Sequence, residues 1–268
     1  MMGQLQAVVF DWAGTVIDHG SRAPMGVFVK AFATFGIEIT IAEARGPMGM
    51  AKRDHVKALM ALPRVAEAWR AKYGAAPGEA DIDKVYEVFV PMNVEAVTDF
   101  CDMIEGAVPA VNALRARGLK IGSTTGYVRE IMARVTPLAA KQGYTPDNLV
   151  CAGDLSAGRP SPLMMWKTYE ELAVWGGWRA VKVDDTEVGI EEGLNAGAWT
   201  VGIAMTGNAF GLSPDETKAL PKADLARMKA EAVAKLTRAG AHYVIDSVAD
   251  ILPVIDAIEG RLARGERP

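Results

Sequence analysis

Val8-Val9-Phe10-Asp11-Trp12-Ala13-Gly14-Thr15-Val16-Ile17-Asp18-His19 is the stretch that decides the fold of this chain. A short apolar run ends at Phe10, Asp11 follows it directly, and Ala13, Gly14 and Thr15 make a small-residue turn. Such a run, bounded by small residues, reads as a strand buried in a parallel sheet. A carboxylate at its carboxyl end stands where open α/β sheets bind ligands. The small residues behind it let backbone N–H groups approach an anion closely.

The pattern recurs along the chain. The first strand is predicted over residues 5–10, with further strands over 119–124, 149–152, 180–183 and 199–204 and an edge strand over 242–245. Helical periodicity separates them, as over 108–117, and an amphipathic helix closes the chain over 248–262. This alternation predicts an α/β fold with a doubly wound parallel sheet. Between the first two strands the pattern is helical throughout, over 27–35, 41–45, 51–60, 65–73 and 82–100, far more chain than a crossover needs. The expectation is a helical cap of residues 20–101 inserted into a core made of 1–19 and 102–268. A cap at that point is placed to close over the strand ends and exclude water.

Composition narrows the function. The formal charge of the 268 residues is −4 and no basic tract occurs, which argues against a nucleic-acid partner. No stretch approaches the ~20 apolar residues of a membrane helix, and no basic start leads into a long apolar run. A cytoplasmic protein without a membrane partner is expected. Cys101 and Cys151, the only cysteines, are too few for a disulfide framework and read as buried thiols. No Gly-rich stretch ends in Gly-Lys-Ser/Thr, so a P-loop is excluded, and residues 207–212 read as a flexible loop.

Four positions follow strands and are expected to converge on one sheet edge: Asp11, the turn Ser123-Thr124-Thr125-Gly126, Arg159, and Asp184-Asp185. Each alone has an ordinary explanation as a helix cap, a turn residue or a surface cation. Together they supply a carboxylate nucleophile, a hydroxyl, a cation and a further carboxylate, the parts of a phosphoryl-transfer site. Asp11 and Asp185 are oxygen ligands suited to Mg²⁺, which would relieve repulsion between Asp11 and an incoming anion.

In the order FDWAGT, STTG, GRP and VDDT, the chain resembles the haloacid dehalogenase superfamily. Within it, FDWAGT, RGPMGMAKRDHVKAL, KIGSTTGY, AGRPSP and EEGLNAGAWTVG resemble the phosphonoacetaldehyde hydrolase (phosphonatase) family over nearly the whole length. The resemblance implies a Rossmannoid core with a helical cap, an Asp11 nucleophile, and Mg²⁺ held by Asp11, Asp185 and the backbone carbonyl of Ala13. It further implies His55 and Met48 in the active site, with Met48 shaping the pocket, and a homodimer. Thr125 and Arg159 are expected to hold a phosphonate substrate. Tyr127 is open to two readings, a substrate or cap contact and half-buried packing.

Ala13 stands where phosphomonoesterases of this superfamily carry a second Asp, which protonates the departing alkoxide. A phosphonate has no bridging oxygen to protonate, but its C–P bond needs an electron sink. Lys52 can provide one by condensing with the aldehyde as an imine. Burial and nearby cations would keep its amine partly neutral. His55, three residues on and on the same helix face, is placed to move protons. Two departures from the superfamily stand out: Arg159 replaces the commoner Lys, and position 189 is Gly where relatives carry a further Asp. Glu187 or water is the candidate to compensate for the latter. Two alternatives accompany this reading: a phosphoryl hydrolase of the same fold with another substrate, and a silent module that binds phosphate esters.

Overall fold

Ala7–Phe10 forms β1, a strand with no solvent exposure whose side chains alternate between two apolar layers. Val8 and Phe10 enter one hydrophobic cluster while Ala7 and Val9 enter another, the period-2 geometry of a strand covered on both faces. The structure, a computed structural model, describes residues 4–268. The remaining strands are β2 (Lys120–Thr125), β3 (Val150–Cys151), β4 (Ala180–Asp184), β5 (Trp199–Ile203) and β6 (Tyr243–Ile245). They pair in parallel as one six-stranded sheet of order β3-β2-β1-β4-β5-β6. The order reverses between β1 and β4, so the carboxyl ends of these two strands border the crevice where doubly wound sheets bind ligands.

The segment between β1 and β2 is helical, as its periodicity predicts. It contains α1 (Ala23–Thr34), α2 (Ile41–Arg45), α3 (Lys52–Met60), α4 (Pro63–Tyr73) and α5 (Glu79–Ala96). Local signals set these boundaries. Pro24 and Pro63 occupy first-turn positions, Thr40 and Glu43 close a capping box, and Gly74 ends α4 at φ 83°. The helix expected over 82–100 instead ends at Ala96 and continues as a 3₁₀ turn, Val97–Phe100. Phe28, Phe32, Val56, Leu59, Trp69, Val85 and Phe89 bury one another in a cluster of their own, separate from the layers on the sheet.

The sheet is covered by α6 (Ala107–Ala116), α7 (Arg129–Lys141) and α12 (Ile251–Ala263) on the Val8/Phe10 face. On the other face lie α8 (Leu163–Glu171), α9 (Glu187–Asn195) and α11 (Lys222–Arg238), with a short α10 (Pro214–Ala219) in the preceding loop. One expectation is corrected. The strand expected over 119–124 runs one residue further, so that Thr125 also belongs to β2 rather than to the turn after it, because it pairs with Cys151. Two hydroxyls of β2 also find buried partners: Ser123 accepts from the Trp12 indole, and Thr124 donates to Glu192. Among the described residues no helix is long and apolar enough to cross a membrane.

Candidate active site

Asp11 leaves β1, Thr125 leaves β2 and Asp185 follows β4, so three strand ends meet at the topological switch point. With Ala13, Met48, Lys52, Tyr127 and Arg159 they line one cavity of about 20 Å³ between the helical segment and the strand ends. All predicted site residues except His55 line it.

Burial governs the acids. Asp11 is 6% exposed, and its carboxyl is pushed up to about 6, first by burial and then by the charge of Asp184. Asp185 is held well above the usual carboxylate range, by burial and then by the Asp11 and Asp184 charges. Its Oδ2 accepts from the Asn208 main chain at 2.7 Å, while its buried Oδ1 has no partner. Asp184, one residue earlier, is shifted the other way. Burial would raise it, but Arg159, Lys182 and hydrogen bonds from Thr186 outweigh that penalty. One oxygen each from Asp11, Asp184 and Asp185 lies within 4.8 Å of the others. Hard oxygen donors, one with an orphaned buried lone pair, fit a divalent cation such as Mg²⁺.

Arg159 lines the cavity and is anchored there by Glu192 and Thr124. Nε donates to Glu192 at 2.9 Å, Nη2 to the carbonyl and hydroxyl oxygens of Thr124 at 2.7 and 3.0 Å, and Nη1 faces Asp11 at 2.8 Å and Asp184 at 3.3 Å. Three of its five N–H donors are spent in hydrogen bonds on Glu192 and Thr124, while Nη1 makes ion pairs with Asp11 and Asp184 at the cavity. The charge borders the cavity, and the fork orients Asp11.

Lys182 and Glu192 complete this network and were not singled out by sequence reasoning. Lys182 is fully buried in β4, with Nζ 2.6 Å from the Thr124 hydroxyl and 3.1 Å from both Asp184 and Glu192. A lysine inside Ala-Val-Lys-Val-Asp was the available signal, since cations are rare in strands buried on both faces. Glu192 carried none. Removing one member of a buried ionic network leaves its partners uncompensated. Lys182→Met is accordingly expected to destabilise the protein by about 3–5 kcal/mol, measured by urea unfolding at constant pH.

The missing acid at position 189 also has a structural account. A Cβ built on Gly189 would lie 2.0 to 2.1 Å from the Asp184 carboxylate, so Asp184 fills the space that a side chain there would take. Glu187 does not compensate: it pairs with Lys235 at 2.9 Å on α11.

Lys52 opens α3 and is 3% exposed. Its nitrogen rests 3.8 Å from the Met48 sulfur and 5.1 and 5.9 Å from the ring centroids of Tyr127 and Phe28. Its pKa is lowered to about 8, by burial first, with the Asp11 charge working in the opposite direction and the Arg159 charge adding to the depression. A cation at a helix N-terminus also faces the positive end of the macrodipole. Tyr127 is buried with its hydroxyl unpartnered, and its pKa is pushed well above 10, so it remains a proton donor.

His55 is placed differently from the expectation. Its ring stacks on Phe28 at 4.0 Å, Nε2 meets the Ala44 carbonyl at 2.8 Å, and it does not line the cavity. Only a protonated Nε2 bonds a carbonyl, which leaves Nδ1 bare and without a partner. Burial first, and the Lys52 charge second, hold its pKa well below 6.5. The one-turn spacing does set it beside Lys52, but on the side turned into the helical cluster. Residues 207–212 form a loop, as expected. They are tied to Asp185 and Arg45 by several hydrogen bonds, and Asn208 and Phe210 are buried.

A sequence model of haloacid dehalogenase-like hydrolases matches residues 5–197. A phosphonoacetaldehyde hydrolase of Paraburkholderia phytofirmans is 60% identical over 267 residues, covering all of both chains. The chain belongs to the phosphonoacetaldehyde hydrolase family of the haloacid dehalogenase-like hydrolases. Another member, from Salmonella gallinarum, is 49% identical over 270 residues, again covering both chains. The crystal structure of a phosphonoacetaldehyde hydrolase-like protein from Oleispira antarctica superposes with a TM-score of 0.97 at 44% identity, covering 100% of this chain and 97% of that one. A putative β-phosphoglucomutase of Bacteroides vulgatus, 17% identical, shares the fold alone at a TM-score of 0.67, covering 95% of this chain and 90% of that one. Like the other members of this hydrolase family, the chain is an enzyme.

Proposed function

We propose that this enzyme hydrolyses the C–P bond of phosphonoacetaldehyde to acetaldehyde and phosphate. The observation that carries the reading is the pairing of a buried amine at about 8, Lys52, with a carboxylate lining the same small cavity, Asp11, where Ala13 offers no acid. The cavity holds little more than one water, so the helical segment acts as a cap that opens to admit substrate.

Neutral Lys52 adds to the aldehyde carbon and water leaves, giving an imine that is protonated at nitrogen. Thr125 and the Arg159 charge position the phosphonate, and Met48 and Tyr127 confine the two-carbon chain. The Asp11 carboxylate attacks phosphorus. The C–P electron pair moves into the iminium, forming an enamine on Lys52 and an aspartyl phosphate on Asp11. Proton transfer to the enamine carbon and hydrolysis release acetaldehyde and the free amine. Water then cleaves the acyl phosphate, so that one water is consumed overall. His55, neutral and packed beneath Lys52, positions that side chain. Asp11, Asp185 and the Ala13 carbonyl would hold Mg²⁺, which offsets the repulsion between the carboxylate and the incoming anion. A second copy of this chain, in a homodimer, is the partner that the family resemblance implies.

The test is trapping. The protein is incubated with magnesium and phosphonoacetaldehyde, reduced with borohydride and mapped by peptide mass spectrometry. A two-carbon adduct confined to Lys52 is expected. An unmodified Lys52 in folded, magnesium-loaded protein would overturn the proposal in favour of an ordinary phosphoryl hydrolase.

A further inference from the structure

Arg45 ends α2, in the helical segment, yet its guanidinium is spent on the core. Nη1 donates to the carbonyl of Gly20 at 2.9 Å, to the Asn208 carbonyl at 3.3 Å and to the Asn208 side-chain oxygen at 3.1 Å. Nη2 donates to the Gly211 carbonyl at 2.8 Å, and the Asn208 amide returns a 3.4 Å bond to the Arg45 carbonyl. One side chain therefore spans the first connection between core and helical segment, at Gly20, and the loop after β5.

That loop carries the clamp on Asp185. The Asn208 main-chain N–H donates to Asp185 Oδ2 at 2.7 Å, and a Cβ on Gly207 would lie 2.6 Å from the Asp185 Cβ. The glycines are fitted to Arg45. Gly211 has φ +74°, and a Cβ there would come within 2.7 Å of the guanidinium carbon. Gly20, at φ +86°, donates its N–H to the Thr206 carbonyl at 2.7 Å, binding the connection to the same loop. A planar fork with several donors recognises such a set of oxygens, whereas an ammonium would satisfy only part of it.

We infer that Arg45 is a positioning residue that couples closure of the helical segment over Lys52 to the placement of Asp185. In the closed arrangement the fork fixes the loop, and the loop fixes the carboxylate. When the segment lifts, Arg45 withdraws and that end of the site loosens. The inference rests on the reading of the segment as a cap and of Asp185 as a magnesium ligand. It does not depend on the substrate.

The experiment compares wild type with Arg45→Met and Arg45→Lys by two readouts that need neither turnover nor imine. One is the rate at which the Lys52 amine is reductively methylated, followed at its own peptide. The other is magnesium affinity by titration calorimetry. Coupled sites typically show effects of about 5-fold or more. Arg45→Met should both methylate faster at Lys52 and bind magnesium more weakly by at least that factor, with Arg45→Lys recovering only part of each. Faster labelling with unchanged magnesium affinity would make Arg45 a mere tie between the two parts and overturn the inference, as would no change in either. Asn208→Ala keeps the main-chain N–H while removing the side chain that Arg45 holds. It should move both readouts in the same direction by a smaller factor, and it decides the question if the Arg45 variants fail to fold. A failed borohydride trap in wild type would refute the substrate assignment without touching these measurements.

Discussion

Lys52→Met is expected to lower the rate of phosphate release from phosphonoacetaldehyde by at least about 10⁴-fold, the scale on which loss of a covalent catalytic group acts. It should abolish borohydride labelling as well. The same change is expected to stabilise the fold. The Lys52 pKa is lowered from 10.5 to about 8, so the unfolded chain binds the proton more tightly than the folded one. Burial of the amine therefore opposes folding at every pH below about 8, and this penalty fades as pH rises from about 8 to 10.5. At about 1.4 kcal/mol per unit, removing the amine should gain up to about 3 kcal/mol at pH 7. Urea unfolding of both proteins at pH 7 and pH 10 measures it, and the gain should shrink at the higher pH. Activity of the wild type should rise with pH through about 8, as the condensing form of Lys52 accumulates. A Lys52→Met protein that is inactive but no more stable would mean that the amine is not buried at a cost.

Asp11→Asn is expected to reduce phosphate release by a similar factor, at least about 10⁴-fold, but by stopping the reaction at a different place. The amide cannot attack phosphorus, while Lys52 keeps its environment beside Met48 and Tyr127. Imine formation should persist. Borohydride should then trap on Lys52 an adduct that still carries phosphorus, where wild type yields the two-carbon remnant. The mass difference reads the order of steps directly. A two-carbon adduct in Asp11→Asn would show that the C–P bond breaks without this carboxylate, and the assignment of Asp11 as nucleophile would fall.

Much of this site was legible because its parts lie at strand ends. Asp11, Thr125 and Asp185 each follow a recognisable strand, and any doubly wound sheet gathers such positions at its switch point. Lys52 was singled out through the family resemblance, with Ala13 in place of a second acid as the supporting chemical argument. His55 shows where local reasoning stops. Helical spacing set it beside Lys52, but the stacking of its ring on Phe28, which itself stacks on Phe89 at 4.1 Å, is a property of the assembled helices. Gly189 shows the same limit from the other side. Its missing side chain reads as a loss along the sequence, and only packing reveals the Asp184 carboxylate in that space.

The sequence by itself determined the layered α/β fold, the helical insertion after the first strand and the chemical inventory of the site. Hydrophobic period and strand-end placement are local properties, and they survive without knowledge of any partner. Tertiary structure alone decided who holds whom. It ties Arg159 to Asp11, Asp184, Glu192 and Thr124, buries Lys182 among them, and lays Arg45 across Asn208 and Gly211. Those contacts join residues far apart in the chain, and side-chain hydrogen bonds are set by distance and direction that no spacing along a single chain encodes.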